Sequence, residues 1–237
     1  MSIAVLQTAR SGSKSVLNKN IEMISGKPLF RHPLDKSLES NLIDHWFVST
    51  DCPTIKQNIT SLQDNRVNII NRPEYLSQDT SPHHDVMIHA IEEIESKIKN
   101  KLNIVVILLG NSLGSSADSL DWCIRKMNQN QSIDSIQSVC KFNMFNPYRA
   151  FSVDEKTGLL NNVVRLPNVA NSNDKNFAGD MFFFNGSFWI CRRDIITGKK
   201  GLNPFPWLGF NILPYVEDTK MEVDAPWQME FIKSMEN

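Results

Sequence analysis

The sequence has no closely spaced cysteines, no long apolar segment and no large excess of positive or negative charge. Its longest apolar run, residues 104–109, is far too short to cross a membrane, and the first residues lack the basic start and apolar stretch of a signal peptide. The formal net charge of −1 gives no reason to expect a nucleic-acid or membrane partner. The four cysteines show neither C-x-x-C nor zinc-site spacing, which predicts a reduced, cytoplasmic protein; they are Cys52, Cys123, Cys140 and Cys191.

The sequence does contain short β-branched runs that alternate with amphipathic stretches, over 237 residues, a length that suits one core. This alternation is typical of a parallel sheet with helices on its faces. Strands are expected at residues 3–6, 46–49, 67–70, 104–109, 181–184 and 188–191. Helices are expected at residues 34–40, 86–98, 116–127 and 225–235. We therefore predict the α/β class: a single Rossmann-like domain over residues 1–237, with a mostly parallel central sheet and helices on both faces.

Residues 142–175 interrupt this alternation. They contain several asparagines, few periodic stretches and the turn signal Lys156-Thr157-Gly158. We interpret this segment as an insertion that includes a hairpin and reaches across to a second subunit.

The loop after the first strand, residues 9–20, combines three cations with Gly12 and three serines. In open α/β sheets ligands bind at the carboxyl ends of the strands, which is where this loop lies. Glycine and serine let the backbone approach a phosphate, and the cations neutralise its charge. The loop contains neither the G-x-x-x-x-G-K-[ST] nor the G-x-G-x-x-G motif. From composition alone it is either a phosphate-binding loop or a solvated basic loop.

The order of residues in this loop, ARSGSKSVLNKN, resembles the signature A-R-x-G-S-K-x-x-x-x-K-N of the acylneuraminate cytidylyltransferases, the CMP-sialic acid synthetase family. One departure is Thr8, where the family usually has proline. Four further segments resemble family motifs in the same order along the chain. They are VSTD at 48–51, RPEYLSQDTSPHHDVMIHA at 72–90, FFNGSFWI at 183–190 and EVD at 222–224.

The resemblance implies a nucleotidyltransferase that transfers CMP from CTP to the anomeric hydroxyl of a nine-carbon sugar acid and releases pyrophosphate. It also implies Mg²⁺ as cofactor, a homodimer, and a cytoplasmic enzyme of cell-surface sugar synthesis. Two alternatives remain open. One is an enzyme for another sugar acid such as 3-deoxy-manno-octulosonate, and the other is a CTP-binding paralogue without catalysis.

The resemblance assigns the nucleotide to two segments. In the first, Arg10, Lys14 and Lys19 hold the triphosphate, with Arg10 and Lys19 acting in catalysis, while Ser13 and Asn20 donate or accept hydrogen bonds. Ala9 and Gly12 complete this nucleotide-binding set. In the second segment Arg72, Asp79 and Ser81 recognise the cytosine ring. The alternative for the second segment is an ordinary loop opened by Arg72, with Asp79 capping a helix.

Glu222 and Asp224 are the predicted metal ligands, and Asp224 is also assigned to catalysis. Residues two apart on a strand point to one face, and two carboxylates with substrate phosphates suit Mg²⁺. A solvated edge strand would show the same spacing. Glu222 is the weaker match, since the family usually has aspartate there.

The acceptor side departs from the family pattern. Residues 110–115 read GNSLGS, where the family typically has Q-P-T-S-P-L-R. Asn111 and Ser112 are the expected substitutes in substrate binding, in a backbone with extra volume and mobility. Asn185 is also expected near the sugar. The acceptor therefore cannot be identified from the sequence.

Two further interpretations concern neighbouring segments. The aromatic residues at 182–184 and 188–189 are expected to be core rather than ligand contacts. Lys141 and Arg149 stand where family members begin the segment exchanged between subunits, so each either enters the partner's site or is a surface cation.

Overall fold

The computed structural model describes residues 1–164, 179–218 and 220–235. The strands are β1 (Ile3–Thr8), β2 (Met23–Ile24), β3 (Lys27–Pro28), β4 (His45–Thr50), β5 (Val67–Asn71), β6 (Ile104–Leu109), β7 (Ser135–Lys141), β8 (Phe151–Val153), β9 (Leu160–Asn162), β10 (Phe182–Arg192) and β11 (Ile212–Glu217). The helices are α1 (Arg31–Ser37), α2 (Pro53–Ser61), α3 (His83–Ile98), α4 (Ala117–Gln129), α5 (Arg193–Gly198) and α6 (Pro226–Met235).

Seven of the described strands form one sheet in the order β11-β7-β10-β6-β1-β4-β5. Every neighbouring pair is parallel except the two pairs made by β10, which runs opposite to β6 and β7. The central strands β1 and β6 are apolar and almost wholly buried, as expected of strands covered on both faces. The predicted α/β fold with a mostly parallel sheet is confirmed.

The helices bury the two faces of the sheet separately. Helices α1, α2 and α4 pack on one face, where Val5 of β1 and Phe188 of β10 are fully buried. Helices α3 and α5 pack on the other face, against Ala4 and Leu6 of β1. Alternate residues of β1 therefore point to opposite helix layers, which fixes the register of the central strand.

The predicted elements agree best where apolar residues are most periodic. The strand at 104–109 has the predicted bounds, while α3 begins three residues earlier than expected. The two strands expected at 181–184 and 188–191 are one strand, β10, interrupted by an irregularity between Phe184 and Trp189. Sequence reasoning missed α2, α5, β7 and β11. Of these, α2 is mostly polar and β11 is a half-exposed edge strand, so neither has a clear apolar pattern.

The predicted insertion contains a hairpin, as expected. Strand β8 pairs antiparallel with β9, and Asp154 closes the turn by accepting bonds from the amides of Lys156 and Thr157, each 2.9 Å long. Residues 165–175 of the insertion lie outside the described residues, and its role in dimerisation stays a prediction. None of the described helices is both long and apolar enough to cross a membrane.

Candidate active site

The segments that follow β1, β5 and β6 lie at one edge of the sheet and border a cleft of about 360 Å³. Arg10, Lys19 and Asn20 of the loop after β1 line this cleft. Asn111 and Glu222 also line it. The cleft thus brings together residues that are more than two hundred positions apart in the sequence, at the edge where ligands bind in open α/β sheets.

The loop after β1 is held in shape by three contacts. The Asn20 side chain donates to the Arg10 carbonyl at 2.9 Å, and the buried Ala9 donates its amide to the Ser49 carbonyl at 3.2 Å. The third contact is made by Asp51, which accepts from both the amide and the hydroxyl of Ser11. Gly12 has φ +66°, a left-handed conformation that favours glycine. Ala9, Gly12 and Asn20 therefore shape the loop.

Asp51 stands at the end of β4, in the S-T-D motif, and received no role from the sequence. Burial would raise the pKa of this carboxyl, but the two hydrogen bonds from Ser11 and the nearby Arg72 guanidinium lower it overall. The carboxylate is therefore ionised at neutral pH and holds the loop after β1 to the neighbouring strand.

Two of the three loop cations are paired with Asp79. The Arg10 guanidinium binds one oxygen of this carboxylate, and Lys14 Nζ lies 2.7 Å from the other. Lys14 and Arg10 accordingly lower the pKa of Asp79. The structure places Asp79 in these two ion pairs, and its assignment to the cytosine ring stays a prediction. Asp79 does not cap α3, because the N-cap of that helix is Pro82.

Arg72 and Ser81, the other two residues assigned to cytosine, differ in position. Arg72 is buried, lines the cleft and donates to the Ser49 carbonyl at 2.7 Å. Burial, with the repulsion of Arg10, lowers the pKa of Arg72 to about 10, against the attraction of Asp51, so the guanidinium stays charged at neutral pH. The hydroxyl of Ser81 donates to the Tyr75 carbonyl at 2.8 Å, a bond within its own loop. Ser13 is also buried, so its side chain offers little to a ligand.

Glu222 lines the cleft, and Asp224 is paired with Lys19, which also lines it, although residues 220–224 do not form the strand we expected. The segment is held to the loop after β6, since the Val223 amide donates to the Asn111 carbonyl at 2.8 Å. The Asn111 side-chain nitrogen lies 3.5 Å from a Glu222 oxygen and 3.4 Å from an Asp224 oxygen. Lys19 Nζ is 2.6 Å from Asp224 Oδ1. Both carboxylates therefore surround one amide group, beside one loop cation.

This arrangement suits a divalent cation whose remaining ligands come from a bound substrate. Burial raises the pKa of Glu222, the negative charge of Asp224 raises it further, and Lys19 and Asn111 oppose the shift. A cation beside the pair would relieve this repulsion. The described residues contain no group of three or more histidine, cysteine or acidic side chains that could enclose a metal alone. Mg²⁺ commonly keeps several waters and few carboxylates when phosphates supply the remaining ligands, so the pair fits that ion.

The loop after β6 corrects two expectations about the acceptor side. A Cβ at Gly110 would lie 2.7 Å from Ala9 Cβ, so the space left by the missing side chain is already filled by the loop after β1. Ser112 is buried and donates to the Leu109 carbonyl at 3.2 Å, which does not support substrate contact. Asn111 alone of the two proposed substitutes lines the cleft.

Asn185 is not among the residues that line the cleft. It is 3% exposed and donates to a Glu217 oxygen at 2.9 Å, a position that does not support direct contact with the sugar. Because it precedes Gly186 in the irregular part of β10, simple alternation did not predict which way its side chain points. The aromatic residues were also misjudged in part: Phe188 is core, but Phe182, Phe183 and Phe184 are 45%, 37% and 39% exposed.

Sequence reasoning missed an aromatic wall of the cleft, formed by Phe184, Trp189 and Phe205. Beside it, His83 Nε2 lies 3.0 Å from the Thr8 hydroxyl. Burial, with the positive charges of Arg72 and His84, lowers the pKa of His83 to about 4, so the ring is neutral at physiological pH. Lys141 is paired with Asp180 at 2.6 Å, and Arg149 is exposed, so both cations lie at the surface of the protomer and their entry into a partner's site stays a prediction.

Residues 4–182 match the protein family described as Cytidylyltransferase. The chain belongs to the cytidylyltransferase family. Within it, the resemblance to acylneuraminate cytidylyltransferases is confirmed by the relatives. A two-function protein of Helicobacter pylori, named pseudaminic acid cytidylyltransferase and UDP-2,4-diacetamido-2,4,6-trideoxy-beta-L-altropyranose hydrolase, is 30% identical over 62% of this chain and 27% of its own length. An N-acylneuraminate cytidylyltransferase of Streptococcus agalactiae is 26% identical over 56% of this chain and 30% of its own length.

The chain spans less than a third of the length of these two cytidylyltransferases. It spans 89% of the post-translational flagellin modification protein B of Campylobacter coli, at 25% identity over 94% of this chain. Among solved structures, a CMP:2-keto-3-deoxy-manno-octonic acid synthetase complexed with CTP superposes with a TM-score of 0.70, over 99% of this chain and 98% of the other, at 16% identity. That likeness shows the cytidylyltransferase fold.

Proposed function

We propose that this protein transfers the cytidylyl group of CTP to a hydroxyl of a nine-carbon sugar acid and releases pyrophosphate. One observation carries the proposal. The cations of the loop after β1 and the acidic pair at 222–224 meet across a single cleft, with Lys19 bridging them at 2.6 Å from Asp224. Cations for a triphosphate beside carboxylates for a metal are what nucleotidyl transfer requires.

The relatives support both substrates. The two relatives with the highest identities quoted above are named for cytidylyl transfer, and their names give pseudaminic acid and N-acylneuraminate. The structural relative was determined with CTP, and its title names an eight-carbon acid. Because its identity is only 16%, we place more weight on the nine-carbon acids.

The reaction is a displacement at phosphorus. The acceptor oxygen attacks the α-phosphorus, the bond to the oxygen bridging the α- and β-phosphates breaks, and the hydroxyl proton passes to solvent. In this proposal Arg10 and Lys14 leave Asp79 to bind the triphosphate, and they neutralise the charge of the departing pyrophosphate. Lys19, whose side chain is 13% exposed and paired with Asp224, stabilises charge at the α-phosphate.

We further propose that Glu222 and Asp224 hold a divalent cation, Mg²⁺, together with the phosphates. When bound, this ion would polarise the α-phosphate and lower the pKa of the attacking hydroxyl. Lys19 Nζ also donates to the Val223 carbonyl at 2.6 Å, so it stays beside the pair and helps to orient the segment.

The dimer stays part of the proposal and is supported by exposed apolar residues on the β8–β9 hairpin. Val153 and Leu160, which face each other across the hairpin, are 63% and 65% exposed. Apolar surface of this kind is typical of an interface. Leu160→Glu should convert a dimer to a monomer in sedimentation, whereas Leu202→Glu, a control outside the hairpin that is 52% exposed, should not.

We also assign the reaction to the cytoplasm, because all four cysteines are free thiols.

The experiment that tests the function measures pyrophosphate release from CTP and Mg²⁺ with a panel of nine- and eight-carbon sugar acids. We expect release with a nine-carbon acid, and a loss of about 10²-fold in kcat for Lys19→Ala, since one group that stabilises the transition state is removed. Lys27→Ala is the matched control, because Lys27 forms an ion pair with Asp35 at 3.0 Å outside the cleft.

Three results would argue against the proposal. Tight CTP binding without release for any acceptor would support a paralogue without catalysis. Release only with an eight-carbon acid would support the alternative acceptor. Full activity of Lys19→Ala would remove the loop from the mechanism.

A further inference from the structure

The loop after β6, the irregular part of β10 and the segment at 217–224 are joined by a buried carboxylate, Glu217, which the reaction itself does not use. Glu217 closes β11, and its side chain is 5% exposed. One of its oxygens accepts from the Ser115 hydroxyl at 2.5 Å and lies 2.8 Å from Lys220 Nζ. The other accepts from Asn185 at 2.9 Å. Every contact of this carboxylate therefore reaches a different part of the acceptor side.

These contacts lead directly to the acidic pair. Lys220 lies two residues before Glu222, and its Nζ also donates to the Gly114 carbonyl at 3.4 Å. At the other end of the same two segments, the Val223 amide and carbonyl bond the Asn111 carbonyl and side chain at 2.8 and 3.1 Å. The loop and the acidic segment are thus tied together at both ends, with Glu217 at the buried end.

The irregular part of β10 packs against Glu222. Asn185 is held by Glu217, and the next residue, Gly186, has φ +71°. A Cβ at Gly186 would lie 2.7 Å from Glu222 Cβ, so this backbone is in direct contact with the first predicted metal ligand. Moving Asn185 would therefore move the surface on which Glu222 rests.

The charge of Glu217 explains why its contacts fix one geometry. Burial would raise the pKa of Glu217, but Lys220, Ser115 and Asn185 lower it overall, so the residue is an ionised carboxylate at neutral pH. A buried carboxylate with three donors has one favourable geometry, because any movement leaves a buried charge or donor unpaired. An apolar contact would tolerate small displacements of its partners, whereas the hydrogen bonds and ion pair of Glu217 do not.

We propose that Glu217 is a positioning residue that fixes Asn111, Glu222 and Asp224 relative to one another at the reaction site. The proposal rests on the proposed function for its catalytic consequence, and its structural consequence can be measured independently of turnover. It assigns no contact between Glu217 and substrate.

The test compares Glu217→Gln with a matched control, Glu95→Gln. Glu95 is also a partly buried carboxylate, 15% exposed and bound to Arg193 at 2.8 Å, and it does not line the cleft. Amide hydrogen exchange at Val223 is the first readout. We expect at least about tenfold faster exchange in Glu217→Gln, since the bond to the Asn111 carbonyl is loosened, and no change in Glu95→Gln.

Kinetics are the second readout. We expect kcat to fall by about 10- to 100-fold in Glu217→Gln, with the KM for CTP changed by less than about threefold, as for other residues that orient a site from behind. If Glu217→Gln does not fold, Ser115→Ala removes one donor to the same oxygen and should change both readouts in the same direction by a smaller factor.

Unchanged Val223 exchange and kcat in a folded variant would overturn the proposal and leave Glu217 as a structural residue. A wild-type protein that releases no pyrophosphate would instead refute the proposed function, and the exchange measurement would still decide whether Glu217 holds the segment.

Discussion

The two sides of the cleft hold their charged residues in different ways. On the side proposed for the nucleotide, which we call the nucleotide side, Arg10 and Lys14 are paired with Asp79 near the surface, and the Lys14 side chain is 85% exposed. On the acceptor side, Ser115, Asn185 and Glu217 form a network that is almost wholly buried. An exposed ion pair contributes little to stability because water screens it, whereas breaking a buried pair is strongly destabilising. The cations on the nucleotide side can therefore exchange partners with little loss of free energy, whereas the buried groups on the acceptor side cannot.

This difference matches what each side has to do in the proposed reaction. A triphosphate brings its own negative charge, so the cations need only a weak temporary partner that it can replace. The acidic pair has to stay in place while the phosphates arrive, and a fixed geometry avoids reorganisation during the reaction. Lys19 connects the two sides, since it belongs to the loop and is bound to Asp224.

The largest expected effect is that of Asp224→Asn, which keeps the shape of the side chain and removes its charge. We expect kcat to fall by about 10²–10³-fold, because a charge at the reacting phosphate is lost, while CTP binding changes much less. Pyrophosphate release and CTP titration measure the two quantities. Asp35→Asn, an ion-paired residue outside the cleft, should retain kcat. A kcat within about threefold of the wild type would remove Asp224 from catalysis.

An intermediate effect is expected for Asp51→Ala, which removes both bonds to Ser11. Loss of this anchor should cost about 1–3 kcal/mol of unfolding free energy and weaken CTP binding by about tenfold. Thermal denaturation and CTP titration measure these changes. In the control Asp64→Ala, a carboxylate that bonds the amide and guanidinium of Arg66 is lost outside the cleft, so only stability should change. Equal CTP affinity in both variants would contradict the anchoring role.

The smallest effect is expected for Asp79→Asn, and its sign is informative. Removing the competing carboxylate should strengthen pyrophosphate binding by up to about fivefold, the equivalent of one exposed ion pair. Calorimetric titration at two salt concentrations measures this, and the gain should shrink at high salt. Asp180→Asn, which breaks the exposed pair with Lys141, is the control. Weaker pyrophosphate binding in Asp79→Asn would show that Asp79 preorganises the cations rather than competing for them.

The sequence predicted best where information is local. The loop at 9–20 is one contiguous motif, and β6 is one unbroken apolar run, so neither required knowledge of distant residues. It predicted worst where a side chain's direction depends on an irregular backbone. Asn185 and Ser112 have the residue types of substrate ligands, but both are buried by their neighbours. Glu217 was not predicted at all, because its partners come from three separate segments.

The sequence by itself determined the alternation of strands and helices, the cationic loop and the family to which the chain belongs, since each is written in neighbouring residues. The tertiary structure alone decided that Asp79 binds the loop cations, that Glu222 and Asp224 meet at Asn111 without forming a strand, and that Asn185 is buried against Glu217. The physical reason is that pairing and burial depend on which distant segments pack together.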